Sequence, residues 1–494
     1  MFKTLPVISD QPAVDDQETF PGVDGQPEEN GRAPTCAFVT LGCKINQYET
    51  EAVREEILDL GYREVPSRQR ADVYVVNTCS VTRRSGVKSR RYIQRVARLN
   101  PESRILVMGC STPSEKEAFR QVPQIAVLAG NEEKGMIASF LKSGVRPGEL
   151  VPSGPLPALE VPKRNAPLPD GVTRDMMDLS ISRFEGRTRG YIKIQDGCNS
   201  FCSFCIIPYL RGLSRSRDSQ SVLDEARRMG ENGFRELVLA GIHLQDYGED
   251  FRDEDWNLAR LLRELRDLAR DVGLFRIRLS SIGVQSFTPE MVDVLRDPLF
   301  CPHWHIPIQS GDDAVLQRMR RDYSRQEFLD AVAFLGETFE EPSITTDVIV
   351  GHPGEDDTAF QSTVDLCIEV GFAKMHLFPY SPREGTRAAE MDDQVPQHII
   401  QARMKQLGVL EKELARAYKQ RFLGKTVEVL VEGAAPVSET IAEGLTERYI
   451  KVRFPVESAE RVGELANTLQ RVVIDEIAAP EVVVGRLAIG AEAP

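Results

Sequence analysis

The sequence predicts an α/β multidomain protein with an N-terminal parallel α/β domain, a central incomplete (β/α)6 barrel and a C-terminal small β-barrel. Three observations carry this prediction. Short apolar runs alternate with amphipathic stretches along most of the chain, the pattern of parallel sheets covered by helices. A proline-crowded segment divides that array in two. Near the C-terminus the apolar runs give way to short alternating strands. At 494 residues the chain has length for about three domains of ~150 residues each.

Composition sets the surroundings. Nine cysteines are too few for a disulfide framework in a chain of this length. No apolar stretch follows a basic start, and none approaches the ~20 residues of a membrane span. A reducing, cytoplasmic protein with no membrane partner is expected. The net charge of −14 argues against nucleic acid as a partner of the chain as a whole, but that charge is unevenly distributed. Residues 1–35 hold two basic residues against seven acidic ones, and 1–34 reads as a disordered acidic tail.

Ordered pattern starts near residue 36. "CAFVTLGC" (36–43), "DVYVVNTC" (72–79) and "RILVMGC" (104–110) read as buried strands, each ending in a cysteine, with helix-compatible stretches between them. They place a parallel α/β domain at 35–145. Ligands of such sheets collect outside the carboxyl ends of the strands, so Cys43, Cys79 and Cys110 can converge on one metal site. The alternative is three buried free thiols. Cys36 opens its strand and lies at the wrong end. Residues 146–185 read as a Pro-rich linker. From 186 to 422 six strand candidates follow, "YIKIQ" (191–195), "ELVLAGI" (236–242), "RIRLSSI" (276–282), "HIPIQS" (305–310), "TTDVIVG" (345–351) and "MHLFPY" (375–380), then a helical segment. Chemistry is expected at their carboxyl ends. Residues 423–494 form the small barrel.

"GCNSFCSFC" (197–205) directly follows the first barrel strand. A Cys202–Cys205 disulfide would strand Cys198, and a structural zinc site needs a fourth ligand that the local sequence does not offer. Three thiolates suit an iron–sulfur cluster with one iron left open; another metal clasp is the alternative. Gln309 and Asp347 sit at strand ends where a barrel core prefers apolar side chains, which favours ligand contacts. On 83–98, Arg84, Lys88, Arg91, Arg95 and Arg98 recur at helical spacing. They form either a phosphate-binding face or a solvated one. "LRGLSRSR", with Arg215 and Arg217, adds positive charge beside the cysteine loop. The segment 424–494 carries seven basic residues against twelve acidic ones. Within it only "ERYIKVRF", with Tyr449, Lys451 and Arg453, offers stacking and phosphate contact.

The C-x-x-x-C-x-x-C loop after a strand resembles the radical S-adenosylmethionine (SAM) superfamily. Joined to the upstream trio and the terminal barrel, the chain from about 36 to 490 resembles the methylthiotransferase family, through "LGCKINQYETE" (41–51), "NTCSVT" (77–82), "IQDGCNSFCSFCIIPYLRG" (194–212), "HIPIQSG" (305–311), "DVIVGHPGE" (347–355) and "FPYSPREGT" (378–386). The resemblance implies two [4Fe-4S] clusters, an auxiliary one on Cys43, Cys79 and Cys110 and a radical-forming one on Cys198, Cys202 and Cys205. It also implies SAM as cofactor, with Gln309, Asp347 and Ser280 as its contacts, and a C-terminal TRAM domain of OB-like, RNA-binding type. An electron donor such as flavodoxin or ferredoxin is implied as a partner, and the sulfur donor is left open. "LGCKINQYETE" most resembles the branch that methylthiolates C2 of N6-threonylcarbamoyladenosine at position 37 of tRNA. A ribosomal-protein aspartate methylthiotransferase and a non-catalytic RNA-binding iron–sulfur protein are the alternatives. Two segments depart from the family pattern: "GCSTP" (109–113) replaces Gly-Cys-Tyr-Ala-Gln, and "SSIGVQSFT" (280–288) lacks an acidic residue after "SSI".

Overall fold

The computed structural model describes residues 32–81, 83–112, 114–144, 176, 179–182, 188–251, 256–479 and 482–488. The expected acidic tail up to Gly31 and most of the expected linker lie outside the described residues. The chain divides into two compact units.

The first unit comprises the N-terminal part of the chain together with Met177–Ile181 and Tyr209–Arg211. Its parallel sheet contains β1 (Thr35–Thr40), β2 (Arg63–Glu64), β3 (Val73–Thr78), β4 (Arg104–Gly109) and β5 (Ile125–Ala129) in the order β2-β1-β3-β4-β5. The three cysteine-tipped runs form its centre. Both faces are covered, which is why these strands read as continuous apolar runs rather than alternating ones. Ile93 and Val96 of α2 (Arg83–Leu99) pack with Ala37, Tyr74, Val76 and Val107 on one side. On the other, Val53 and Ile57 of α1 (Lys44–Asp59) pack with Val73, Val75, Leu106 and Met108. The edge strands were not expected: β2 is two exposed charged residues, and β5 ends in no cysteine.

The second unit holds six barrel strands: β6 (Arg189–Lys193), β9 (Glu236–Ala240), β10 (Arg276–Leu279), β11 (His303–His305), β12 (Ser343–Val350) and β13 (Lys374–Pro379); five overlap the expected runs, whereas β11 ends at His305, where the expected run 305–310 begins. A short antiparallel pair, β7 (Gln195–Asp196) and β8 (Arg215–Ser216), brackets the cysteine loop. The parallel sheets β10-β9-β6 and β11-β12-β13 are joined by an isolated bridge between Ser281 and His305, giving an open six-stranded wall. Helices between the strands carry local signals: the Asn257 side chain caps Leu258–Val272, and Gly273 ends that helix in the left-handed conformation. Helix Gln397–Gln420 leads into a closed barrel of β14 (Thr426–Ala435), β15 (Ser438–Thr446), β16 (Lys451–Pro455), β17 (Leu469–Ala479) and β18 (Val482–Leu487), in the order β14-β15-β16-β18-β17. Val427, Val429 and Val431 alternate inward along β14 and meet Phe454, Val472 and Val483 in its core. No described helix is long and apolar enough to cross a membrane.

Candidate functional site

In the first unit Cys43, Cys79 and Cys110 stand just beyond the carboxyl ends of β1, β3 and β4. They are mutual neighbours. Protein crowds the Cys43 sulfur although the residue keeps access to solvent, and that crowding, with Cys110 adding to it, pushes its thiol up while Arg211 pulls it down. Burial, then Cys110 and Cys43, push Cys79 up to about 12. The turn that brings them together needs glycine: Gly42 has φ 110°, and a Cβ there would meet Cys79 Cβ at 2.8 Å and Sγ at 2.9 Å. Asn46 ties the strand ends together, its Nδ2 donating to the carbonyls of Leu41 (2.7 Å) and Thr78 (3.0 Å).

Beside the trio lies a fully buried ion cluster that sequence reasoning missed. Arg211 Nη1 is 3.1 Å from Glu49 Oε1, its Nη2 donates to Asn46 Oδ1 at 2.8 Å, and the Lys134 ammonium pairs with the same Glu49 carboxylate. The Arg211 guanidinium favours the thiolate of Cys43, while burial pulls the Lys134 ammonium down. Glu49 and Arg211 fall inside quoted motifs; Lys134, in an unremarkable stretch, gives no signal of its own.

In the second unit the loop 197–205 is built by similar means. Gly197 has φ 73°, and a Cβ there would lie 2.0 Å from the Leu213 carbonyl oxygen. Cys198 N–H donates to Gly212 O (3.2 Å) and Cys205 N–H to Cys202 O (3.0 Å). Ser200 N–H points at Cys198 Sγ (3.4 Å), and Arg321 Nη1 at Cys202 Sγ (3.4 Å). Burial pushes Cys198 up to about 11 even though Ser200 hydrogen bonds pull it down; burial and then Cys202 and Cys198 raise Cys205. Crowded thiols such as Cys198 and Cys205, whose ionisation burial and the neighbouring sulfurs penalise, are relieved by a cationic centre. Both trios fit a [4Fe-4S] cluster held by three thiolates.

Gln309 adopts a left-handed conformation, φ 67°, fixed by backbone bonds from its N–H to Asp347 O and from Ile349 N–H to its own carbonyl, both 2.9 Å. Its carboxamide makes no hydrogen bond among the described residues, an arrangement of the kind found at ligand sites. Ser280 is buried, its Oγ accepting from Gly241 N–H at 3.4 Å. Asp347 Oδ1 lies 3.3 Å from His305 Nε2.

The sequence-predicted RNA contacts divide. Arg84, Lys88 and Arg91 are exposed on α2, and Arg95 lies over the Tyr92 ring at 6.0 Å, while Ser89, Ile93 and Val96 face the core. Arg215 and Arg217 require correction: both are buried, Arg215 in the β7–β8 pair opposite Asp196 and Arg217 paired with the fully buried Glu225. The Arg217 guanidinium is held inside the protein because "SRSR" enters a strand pair rather than a surface loop. Tyr449 is also corrected. Its ring stacks on His303 (centroids 5.0 Å) and lies under the guanidiniums of Arg278 (5.0 Å) and Arg189 (5.4 Å), so it offers no free face to a base. Lys451 and Arg453 both pair with Glu443, at 3.1 and 2.6 Å. The residues missed here are Arg276 and Arg278, whose forks reach the carbonyls of Glu428, Leu445, Thr446 and Glu447 in the terminal barrel. Two arginines at period two in "RIRLSSI" were the available signal.

Comparison with known proteins agrees with this arrangement. The Radical SAM superfamily model matches residues 192–367, and the one described as "Uncharacterized protein family UPF0004" matches 35–130. A threonylcarbamoyladenosine tRNA methylthiotransferase of Bacillus subtilis is 38% identical over 428 residues, 85% of this chain and 90% of the relative. Its namesake from Chlamydia pneumoniae is 37% identical, covering 90% and 96%. A tRNA-2-methylthio-N(6)-dimethylallyladenosine synthase of Bacillus pumilus is 32% identical, covering 87% and 82%. The radical SAM methyltransferase TsrM of Kitasatospora setae, solved with tryptophan and a SAM analogue, overlaps 72% of this chain and 75% of its own at TM-score 0.49 and 16% identity. Two thiol trios on two α/β units, and relatives of this identity along most of the chain, make one conclusion: the chain belongs to the radical SAM methylthiotransferase family.

Proposed function

We propose that this protein replaces the C2 hydrogen of N6-threonylcarbamoyladenosine at position 37 of tRNA with a methylthio group. The observation that carries the reading is that the chain holds two thiol trios, each of neighbouring cysteines, where radical formation alone needs one; the activity named for the 37–38% identical relatives supplies the substrate. Cys198, Cys202 and Cys205 would hold the cluster that delivers an electron to SAM, and Cys43, Cys79 and Cys110 the cluster that handles the inserted sulfur.

The remaining work falls to the protein. Ser200 N–H and the Arg321 guanidinium direct positive charge at two loop sulfurs, and Arg211 does the same for Cys43. Gln309 and Ser280 supply polar contacts for SAM at the strand ends. The exposed face of α2 binds tRNA phosphates, so local charge outweighs the acidic total. A flavodoxin or ferredoxin supplies electrons.

The test is nucleoside mass analysis of tRNA from cells lacking the protein. The methylthiolated form of threonylcarbamoyladenosine should vanish and its unmethylthiolated precursor accumulate. Loss of methylthio-dimethylallyladenosine instead would move the protein to the branch of the Bacillus pumilus relative, and unchanged tRNA with an unmodified ribosomal-protein aspartate would overturn the reading.

A further inference from the structure

The inner face of the six-stranded wall is identified by Tyr449, whose ring meets Arg189 of β6, Arg278 of β10 and His303 of β11. Side chains alternate along a strand, so His305 shares that face with His303. Thr345 pairs with His305 across the ladder, and Asp347, two residues on, pairs with His376. Three polar side chains therefore stand together on the inner wall, beyond the ring that closes its lower end. Their ligand atoms all lie within 4.8 Å of one another. His305 Nδ1 is 2.9 Å from Thr345 Oγ1, its Nε2 is 3.3 Å from Asp347 Oδ1, and the two imidazole rings are 5.5 Å apart.

Two properties suggest that this group awaits a ligand. Asp347 Oδ1 is buried, and the His305 contact lacks hydrogen-bonding geometry, so a buried acceptor goes unsatisfied. Such an atom is costly unless something donates to it. The carboxylate is nonetheless charged: burial pushes its pKa up, but His305, and then His376, hold it below the usual value. The group thus combines an open anionic acceptor with two imidazoles.

The modification on the substrate proposed above matches this chemistry. A threonylcarbamoyl arm ends in a carboxylate and a hydroxyl, whereas a dimethylallyl arm is entirely apolar. We propose that His305, Asp347 and His376 form the pocket that reads the threonyl arm, the Asp347 carboxylate accepting the hydroxyl and the His376 imidazole pairing with the carboxylate. His305, fixed by its bond to Thr345, stands beside the acceptor and favours its charged form. The proposal rests on the threonylcarbamoyladenosine reading of the preceding section, and it assigns Asp347 to the substrate rather than to SAM. Without an imidazole N–H donor opposite it, the substrate carboxylate would meet only the Asp347 anion, so the pocket needs a donor beside its acceptor.

The test uses reconstituted full-length enzyme, with tRNA bearing threonylcarbamoyladenosine or its glycylcarbamoyl analogue, which keeps the carboxylate and lacks the hydroxyl. Wild type should favour the threonyl substrate by roughly tenfold or more in kcat/KM, since a site built to bond a hydroxyl rejects the analogue lacking it. Asp347→Asn should collapse that ratio toward one. His376→Phe keeps ring volume and should raise KM for both substrates by roughly tenfold or more, leaving their ratio in place. Iron content and cluster absorbance establish that each variant is folded and loaded. An unchanged ratio in Asp347→Asn, with wild type active on the threonyl substrate, overturns the pocket alone. A wild type inactive on that substrate overturns the functional reading and the pocket with it. One equivalent of zinc or manganese, retained by wild type and lost in His376→Phe, would overturn the pocket by making the three residues metal ligands.

Discussion

His352 shows how a single buried side chain can make the second unit sensitive to acid. Its imidazole is fully buried, Nδ1 donating to the Pro353 carbonyl at 3.0 Å while Nε2 lies 3.0 Å from Ser203 Oγ, two contacts that a neutral ring satisfies. Burial lowers its pKa from 6.5 to about 4. The folded state therefore prefers the neutral form, and the stability this contributes is present above 6.5 and lost as pH falls toward 4. Linkage gives a loss of about 1.4 kcal/mol between pH 8 and pH 5.5. Urea unfolding at those two values should show the loss in wild type and a flatter dependence in His352→Gln; parallel curves for the two proteins would remove His352 as the source. No sequence feature marks this histidine as different from His243 or His376, because its neutrality comes from burial, which only the fold creates; its Ser203 neighbour is 149 positions away. The six cluster cysteines were legible for the opposite reason: each trio is defined by spacing or by strand-end position, which a linear sequence displays.

At the scale of elements, α2 and the β7–β8 pair show when a run of basic residues can be read. Helical spacing placed Arg84, Lys88 and Arg91 on one face, and they are exposed with no ion pair among the described residues. In "SRSR" the period is two, and only the fold reveals that both arginines are buried, Arg217 against Glu225. The two elements should respond differently to substitution. Lys88→Ala with Arg91→Ala should weaken tRNA binding uniformly and reduce the slope of log Kd against log salt by about one to two, without lowering the melting temperature. Arg217→Ala should instead cost about 3–5 kcal/mol of stability, since it removes the guanidinium from a buried carboxylate. A salt slope unchanged in the double α2 variant would mean that the helix face is merely solvated.

At the scale of the whole molecule, the order of pieces and five of the six strands of the central wall were legible, because apolar runs of strand length survive in the sequence whatever packs on them; β11, three residues with two histidines, offers no such run. The attachment of the terminal barrel to that wall was not, since it runs through charged and polar groups. Arg276 and Arg278 donate to carbonyls of β14, of β15 and of the β15–β16 turn, Arg278 also binds the fully buried Glu236 at 2.8 Å, and Arg189 reaches Glu432 at 2.8 Å. Tyr449, held at φ 62° in that turn, fills the space among Arg189, Arg278 and His303. Seen in sequence, an aromatic between basic residues suggests RNA stacking; in the fold, the same ring is an intramolecular plug, and the two roles predict different losses. If the ring is a plug, Tyr449→Ala removes two cation–π contacts and a stack from a crowded site and should destabilise the second unit by about 2–4 kcal/mol. Its tRNA affinity, measured on the folded fraction at fixed salt, should stay near wild type. Truncation before the terminal barrel should go further, leaving the buried guanidiniums of Arg276 and Arg278 without their carbonyl acceptors, so the shortened chain should lose cluster content as well as tRNA binding. A Tyr449→Ala protein that melts like wild type yet binds tRNA tenfold more weakly would return this residue to the RNA interface.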